Sequence, residues 1–202
     1  SNAAKYKLEE GTLVPDNGTV ATVIAKKKVN SKDYWFDEEG VMLSKFYLIK
    51  DAMFYFGGSD DGSMKTGSQS IKDNTGDTYK FYFYTKDQAA SYKTPDGAHS
   101  LPKGAGVVGN QSNKLYYYGL QIQADDYKYQ IAKIAIAGTE YSFIVNSNGT
   151  IQHSASSEYK EDNDILVKTG VGTKTAYYDG KDDGQRKYAI VNTEANKKTV
   201  DE

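Results

Sequence analysis

The sequence predicts an all-β fold of degenerate β-hairpin repeats stacked as a solenoid, and three observations carry that expectation. The first is a repeat. A short aromatic strand, a polar turn ending in Gly and a Gly-x-Met strand occur twice between Asp33 and Phe83, as DYWFDEEGVMLS and MFYFGGSDDGSMKTG, and TYKFYF opens a third copy. Trp35 then matches Tyr55, Phe36 matches Phe56, Gly40 matches Gly62 and Met42 matches Met64. A period of about twenty residues is too short for an independent core, so each unit must bury its apolar side against its neighbours. The second observation is composition: 18 Tyr and 7 Phe suit half-buried pleated surfaces, and 19 Gly with only 3 Pro suit tight turns. The third is the glycine register, since Gly18 lies 22 positions before Gly40 and Gly40 lies 22 before Gly62.

Taken in order, Ser1-Asn2-Ala3 reads as the remnant of a cleaved expression tag and is set aside. Tyr6–Glu10 is too short to classify. Pro15–Ala25 is a turn followed by a β-branched strand, and Gly18–Thr22 matches the second half of a repeat. Lys26-Lys27-Lys28 is expected to be a solvated turn. From Asp33 side chains alternate, Tyr34 and Phe36 toward one face and Asp33 and Trp35 toward the other. Phe46–Ile49 is read as a connecting segment, Ala52–Phe56 as the next strand, and Asp60-Asp61-Gly62 and Asp73–Asp77 as turns on either side of Lys65–Ile71. Tyr79–Tyr84 is again a strand. Residues 85–110 form a loop or an insertion. Leu115–Tyr118 restores an aromatic strand, Tyr127–Ala137 alternates, and Thr139–Ser154 is a hairpin with an Asn-Gly turn signal. Ile165–Lys168, Ala176–Tyr178 and Lys187–Val191 are short strand candidates. The resulting organisation is tag remnant 1–3, N-terminal hairpin repeats 4–84, loop or insertion 85–110, degenerate C-terminal repeats 111–193 and a polar tail 194–202. Whether 85–138 continues the solenoid is open.

Charge and chemistry exclude more than they assign. With 25 Lys and Arg against 27 Asp and Glu the formal charge is −2, so no basic stripe points to nucleic acid. No apolar run is long enough to span a bilayer. Cys is absent, which removes disulfides and thiolate metal sites. His99 and His153 stand far apart and outside any triad or metal spacing. The acidic clusters Asp60-Asp61, Asp125-Asp126 and Asp182-Asp183-Gly184 read as turn residues. The last fails as an EF-hand loop because Lys181 and Ile190 fall at ligand positions. The expectation is therefore no enzyme, no cofactor and no metal.

The order of aromatic strand, Asp or Asn turn and Gly-x-Met-x-Thr-Gly, most specific at Ser63–Gly67 (SMKTG), resembles the cell-wall-binding repeats of Gram-positive surface proteins. These include choline-binding, glucan-binding and clostridial toxin tail types. The resemblance is good over Asp33–Phe83 and fair over 15–25 and 139–152. It implies stacked hairpins with ligands between consecutive ones, on an extracellular module at the bacterial surface or wall whose partner is a wall polymer or glycan. Relatives that bind choline place Trp where this chain has Asp33, Met53 and Lys80, and again at Ser68, so most walls of an aromatic cage are missing. Flat rings stacking on sugar match the glucan-binding relatives better. The candidate ligand-binding residues are Trp35, Phe46, Tyr55, Tyr82, Met42 and Met64. For Trp35, Tyr55 and Tyr82 packing and ligand stacking are both open, and Tyr34, Phe36, Phe54, Phe56, Phe81 and Phe83 are expected in the core. The alternative function is a structural or protein-binding spacer whose repeats have lost their ligand sites. Oligomeric state is not indicated.

Overall fold

A computed structural model describes residues 1–88, 94–97, 99–136, 138–152, 159–161, 164–167, 176–178 and 187–189. His153, the Asp182-Asp183-Gly184 cluster and the 194–202 tail lie outside the described residues. No helix occurs among those described; every regular element is a strand, and the paired strands run antiparallel, as the hairpin-repeat reading expects. The chain divides into two compact units, residues 1–107 with 118–120, and residues 108–117 with 121–202.

In the first unit β1 (Asn2–Glu9), β2 (Thr12–Val29), β3 (Lys32–Asp37), β4 (Phe46–Ile49) and β5 (Ala52–Tyr55) form one sheet in the order β3-β2-β1-β4-β5. β6 (Gly67–Lys72) and β7 (Thr78–Phe83) make a further hairpin. Leu120 of β10 (Leu120–Gln121) pairs beside it with Phe81. Two-residue turns close the hairpins at Glu10-Gly11, Asn30-Ser31 and Lys50-Asp51, twenty residues apart, and all six residues have positive φ. Such turns match the right-handed twist of the strands they join. The period inferred from sequence is therefore present in the backbone.

Backbone hydrogen bonds fix the repeat register independently of side chains. Leu43 N–H donates to Trp35 O (2.8 Å), Lys65 N–H to Tyr55 O (2.8 Å) and Val107 N–H to Tyr82 O (3.0 Å), so Trp35, Tyr55 and Tyr82 are equivalent positions. The third copy ends at Gly104–Val107. There Gly104 N–H reaches Tyr84 O (2.8 Å), as Gly40 N–H reaches Asp37 O (3.0 Å). The bridge between Phe83 and Gly106 likewise mirrors that between Phe36 and Met42. Residues 85–103 are thus inserted inside the turn of a repeat hairpin. The sequence reading missed this second half because Gly106 replaces the diagnostic Met.

Four local readings need correction. Asn2 and Ala3, set aside from the fold, lie in β1, which also contains Tyr6–Glu9; Ala3 is fully buried. Lys26–Lys28 is strand and not turn: β2 runs through it, pairing Lys26 with Trp35, Lys27 with Tyr34 and Lys28 with Asp33. Lysines are tolerated there because Lys26 Nζ lies over the Trp35 ring at 4.0 Å, Lys27 Nζ lies over Phe36 at 5.9 Å and Lys28 reaches Asp33 at 3.9 Å. Phe46–Ile49 is not a connector but β4, paired with both β1 and β5. The facing of the first aromatic strand is reversed, since Trp35 is buried and Tyr34 and Phe36 are only half-buried.

The reason lies in how the layers cover β4–β5. One face of that hairpin offers Tyr47, Phe54 and Phe56, and Trp35 packs on it with centroids 4.9 Å from Phe54 and 5.4 Å from Phe56. The other face offers Phe46, Met53 and Tyr55 to Phe81 and Phe83 of β7, with Phe46 to Phe81 at 5.4 Å and Tyr55 to Phe83 at 6.2 Å. Both faces of the central hairpin are therefore core. Trp35 supplies the larger ring for the first face and is buried there, whereas its equivalents Tyr55 and Tyr82 stay half-buried.

The second unit contains β8 (Gly109–Gln111) paired with β9 (Lys114–Tyr117), and β11 (Tyr129–Ile136) paired with β12 (Thr139–Asn146). It also holds the short pairs β13 (Tyr159–Glu161) with β14 (Asp164–Val167), and β15 (Ala176–Tyr178) with β16 (Lys187–Ala189). Its buried apolar side chains include Leu115, Ile134, Phe143, Ile144, Val145 and Ile151. Its repeat signature is Gln152 N–H donating to Ile144 O (2.7 Å).

Candidate functional site

Register places three aromatic side chains in a row across β1, β4 and β5. Tyr6 pairs with Phe46 and Phe46 with Tyr55, and directly opposed residues share a face. Phe46 is buried, with its ring 4.5 Å from that of Tyr55, whereas Tyr6 and Tyr55 keep part of their surface in solvent. These residues form one wall of a cleft of about 460 Å³ that is completed by Ile71, Lys72, Asp73 and Asn74 from the next hairpin. Lys45, Glu9 and Lys7 add a polar rim, Lys7 and Glu9 being ion-paired at 3.2 Å. The cleft thus lies between consecutive hairpins and combines an aromatic wall with hydrogen-bonding groups.

The turns hold that geometry. Asp73 Oδ1 accepts from Thr75 N–H (2.9 Å), the Thr75 hydroxyl (2.7 Å) and Asp77 N–H (3.1 Å). Its Oδ2 reaches across to Gly11 N–H (3.0 Å), while Asn74 Oδ1 accepts from Glu10 N–H (2.8 Å). Two side chains of the β6–β7 turn therefore fix the β1–β2 turn at one end of the cleft. The Thr75 hydroxyl, with the Thr75, Asp77 and Gly11 amides, holds the Asp73 carboxyl below the usual range against the opposing effect of burial. Burial first, and Asp61 second, raise the Tyr55 phenol, so it stays a neutral hydrogen-bonding group at physiological pH.

The six residues singled out from sequence are not gathered in one place. Phe46 and Tyr55 meet in the cleft described above. Trp35 packs instead on the opposite face of β4–β5 beneath Lys26, so its ring is already engaged by an internal cation. Tyr82 is half-buried on β7 opposite Ser68. Met42 and Met64 join neighbouring repeats: the Met42 thioether lies against Gly62, and that of Met64 against Gly104. Their partner glycines have φ of +79° and +89°, so each is both a left-handed turn residue and a seat for the preceding repeat's methionine. Tyr6, Lys45, Lys72 and Asn74 were not singled out. For Tyr6 the signal was the alternation Ala4-x-Tyr6-x-Leu8; for the others sequence offers none, because they converge only through turns.

Among the described residues no three His, Asp or Glu side chains gather as a metal site, and His99 is exposed. No protein-family model matches the chain, and no curated protein matches it in sequence. Among solved structures it is similar to CbpF in complex with ipratropium, at 20% identity and a TM-score of 0.40 over 87% of this chain and 55% of that one. It is also similar to alternansucrase in complex with isomaltononaose, at 14% identity and a TM-score of 0.21 over 91% of this chain and 18% of that one. The chain thus spans about half of the first protein and under a fifth of the second.

Proposed function

We propose that the chain is a non-catalytic glycan-binding module of a secreted bacterial surface protein, attaching to wall polymer or glucan through the cleft between β1–β4–β5 and the β6–β7 hairpin. The observation that carries this reading is the partly exposed Tyr6 and Tyr55 on one wall, facing Lys72 and Asn74 on the other. Pyranose rings bind by laying C–H faces on aromatic rings while their hydroxyls bond to polar rims, and the cleft supplies both. A quaternary ammonium is a poorer ligand: Lys26 already occupies the Trp35 face, and the cleft rim carries Lys7, Lys45 and Lys72.

The test is retention of the purified chain on Gram-positive cell walls, with soluble glucans and choline as competitors. Glucan is expected to release the protein and choline to leave it bound, and Tyr55→Ala is expected to weaken retention about tenfold or more. Retention unaffected by glucan and by Tyr55→Ala, with the fold intact by circular dichroism, removes the proposal. That outcome favours the second reading, a spacer whose repeats pack without ligand, which draws support from the burial of Trp35 and Phe46.

A further inference from the structure

A second cavity, on the opposite face of the β4–β5 hairpin, has a different chemistry. It measures about 310 Å³, and its wall includes Ser1, Lys26, Lys50, His99, Trp35 and Phe54, with no carboxylate among the described lining residues. Some lysines of this unit meet acids: Lys28 and Lys103 share Asp33 at 3.9 and 3.0 Å, and Lys65 holds Asp61 at 2.6 Å. Lys26 and Lys50 have no acidic partner within ion-pair distance among the described residues. Asp51, the neighbour of Lys50 in sequence, is engaged elsewhere, accepting from the Tyr118 hydroxyl (2.6 Å) and Asp96 N–H (3.3 Å). Partial burial first, and the Lys50 charge second, lower the Lys26 pKa.

We infer that this cavity is an anion site that takes a phosphate or carboxylate group; that a sugar or polyol bears the group rests on the glycan reading above. Two ammonium groups converging on one cavity repel each other, and an anion between them turns that repulsion into two charge-assisted hydrogen bonds. Trp35 and Phe54 restrict solvent on one side, which strengthens the attraction. The site is separate from the Tyr6–Tyr55 cleft, so one chain could hold a neutral sugar ring and a charged substituent on opposite faces of one hairpin.

Trp35 is the only tryptophan in the sequence, which makes its emission a direct reporter of this cavity. The chain is titrated at constant ionic strength with glucose 6-phosphate, glucuronate, inorganic phosphate and glucose. Saturable emission changes with glucose 6-phosphate or glucuronate are expected, and none with glucose. Inorganic phosphate separates the contribution of the charge from that of the sugar: weaker binding than glucose 6-phosphate supports the proposal, and equal or tighter binding overturns its sugar component. Lys50→Gln is expected to weaken binding about tenfold and Lys26→Gln at least as much, while retention on neutral glucan is unchanged by Lys50→Gln. No saturable response to any anion, an equal response to glucose, or binding unchanged in the Lys26→Gln/Lys50→Gln double variant overturns the site without touching the glycan proposal.

Discussion

Asp61 shows how much one residue of a repeat turn can be tuned. Its Oδ2 accepts from Lys65 Nζ at 2.6 Å, and its Oδ1 accepts from the Ser63 hydroxyl and from Ser63 N–H at 3.1 Å. The Lys65 bond first, and the Ser63 hydroxyl next, lower its pKa from 3.8 to about 2. Because the folded value lies below the unfolded one, the unfolded chain gains the proton first as pH falls. The contribution to stability is complete above pH 3.8 and is lost as pH drops toward 2. Lys65→Met is expected to return the Asp61 midpoint toward 3.8 in a carboxyl carbon NMR titration, and an unmoved midpoint would show that Lys65 is not the cause. The pair is partly solvent-exposed and screened, so the stability change should stay below about 1 kcal/mol. The glycine seats allow a second residue-scale prediction. Gly40 and Gly62 share a left-handed φ (+77° and +79°), but a Cβ on Gly40 meets nothing within 4 Å whereas one on Gly62 meets Met42 Sδ at 3.0 Å. Gly40→Ala should cost about 1 kcal/mol from backbone strain alone. Gly62→Ala should cost roughly a further 1 kcal/mol from overpacking. In denaturant melts that difference should shrink in a Met42→Ala background, which removes Sδ and Cε but keeps the Cβ at 3.2 Å; a difference of unchanged size would show that the thioether is not its origin.

The hairpin is built around an Asx turn that recurs in one register. Asp37 Oδ1 accepts from Glu39 and Val41 N–H (both 2.9 Å), Asp73 Oδ1 from Thr75 and Asp77 N–H, and Asn146 Oδ1 from Asn148 and Thr150 N–H (both 2.9 Å). In each case a glycine with positive φ follows three positions later, at Gly40, Gly76 and Gly149. This arrangement predicts that Asp73→Asn, which keeps the Oδ1 acceptor of Thr75 and Asp77 and loses only the Oδ2 acceptor of Gly11 N–H, lowers the thermal midpoint less than Asp73→Ala, which removes all of these bonds. Equal midpoints for the two variants would show that the carboxylate charge, and not acceptor geometry, secures the turn. Much of this was legible in the chain. Polar turns ending in Gly, alternating aromatics and Gly-x-Met are local signals, and they gave the hairpins, the period and the equivalence of Trp35, Tyr55 and Tyr82. What stayed hidden was non-local. Lys26–Lys28 looked like a turn because its aromatic partners are supplied by the facing strand β3. Trp35 faced the wrong way in the sequence reading because alternation fixes which residues share a face but not which face is covered. Tyr6, Lys72 and Asn74 share one cleft only after three turns have brought their strands together.

Across the first unit, burial proceeds by layers. Trp35 lies on Phe54 and Phe56, β4–β5 carries the next layer, and Phe46 and Tyr55 meet Phe81 and Phe83, whose rings stack at 5.8 Å and 3°. A core of this kind couples each hairpin to its immediate neighbours more strongly than to the far end. Phe81 is fully buried at the junction of two layers, so Phe81→Ala should cost about 3–5 kcal/mol. The pattern of that loss distinguishes layered from single-core cooperativity. Under layered coupling, native-state hydrogen exchange accelerates in β6–β7 and on β4–β5, while amides of β2 and β3 near Trp35 keep most of their protection. A single cooperative core would lower protection in all these strands by the same free energy. The layered outcome also explains why the chain tolerates an insertion of residues 85–103 inside one repeat turn: Tyr84 and Gly104 still meet, and the strands on either side of the insertion keep the bonds of an uninterrupted hairpin.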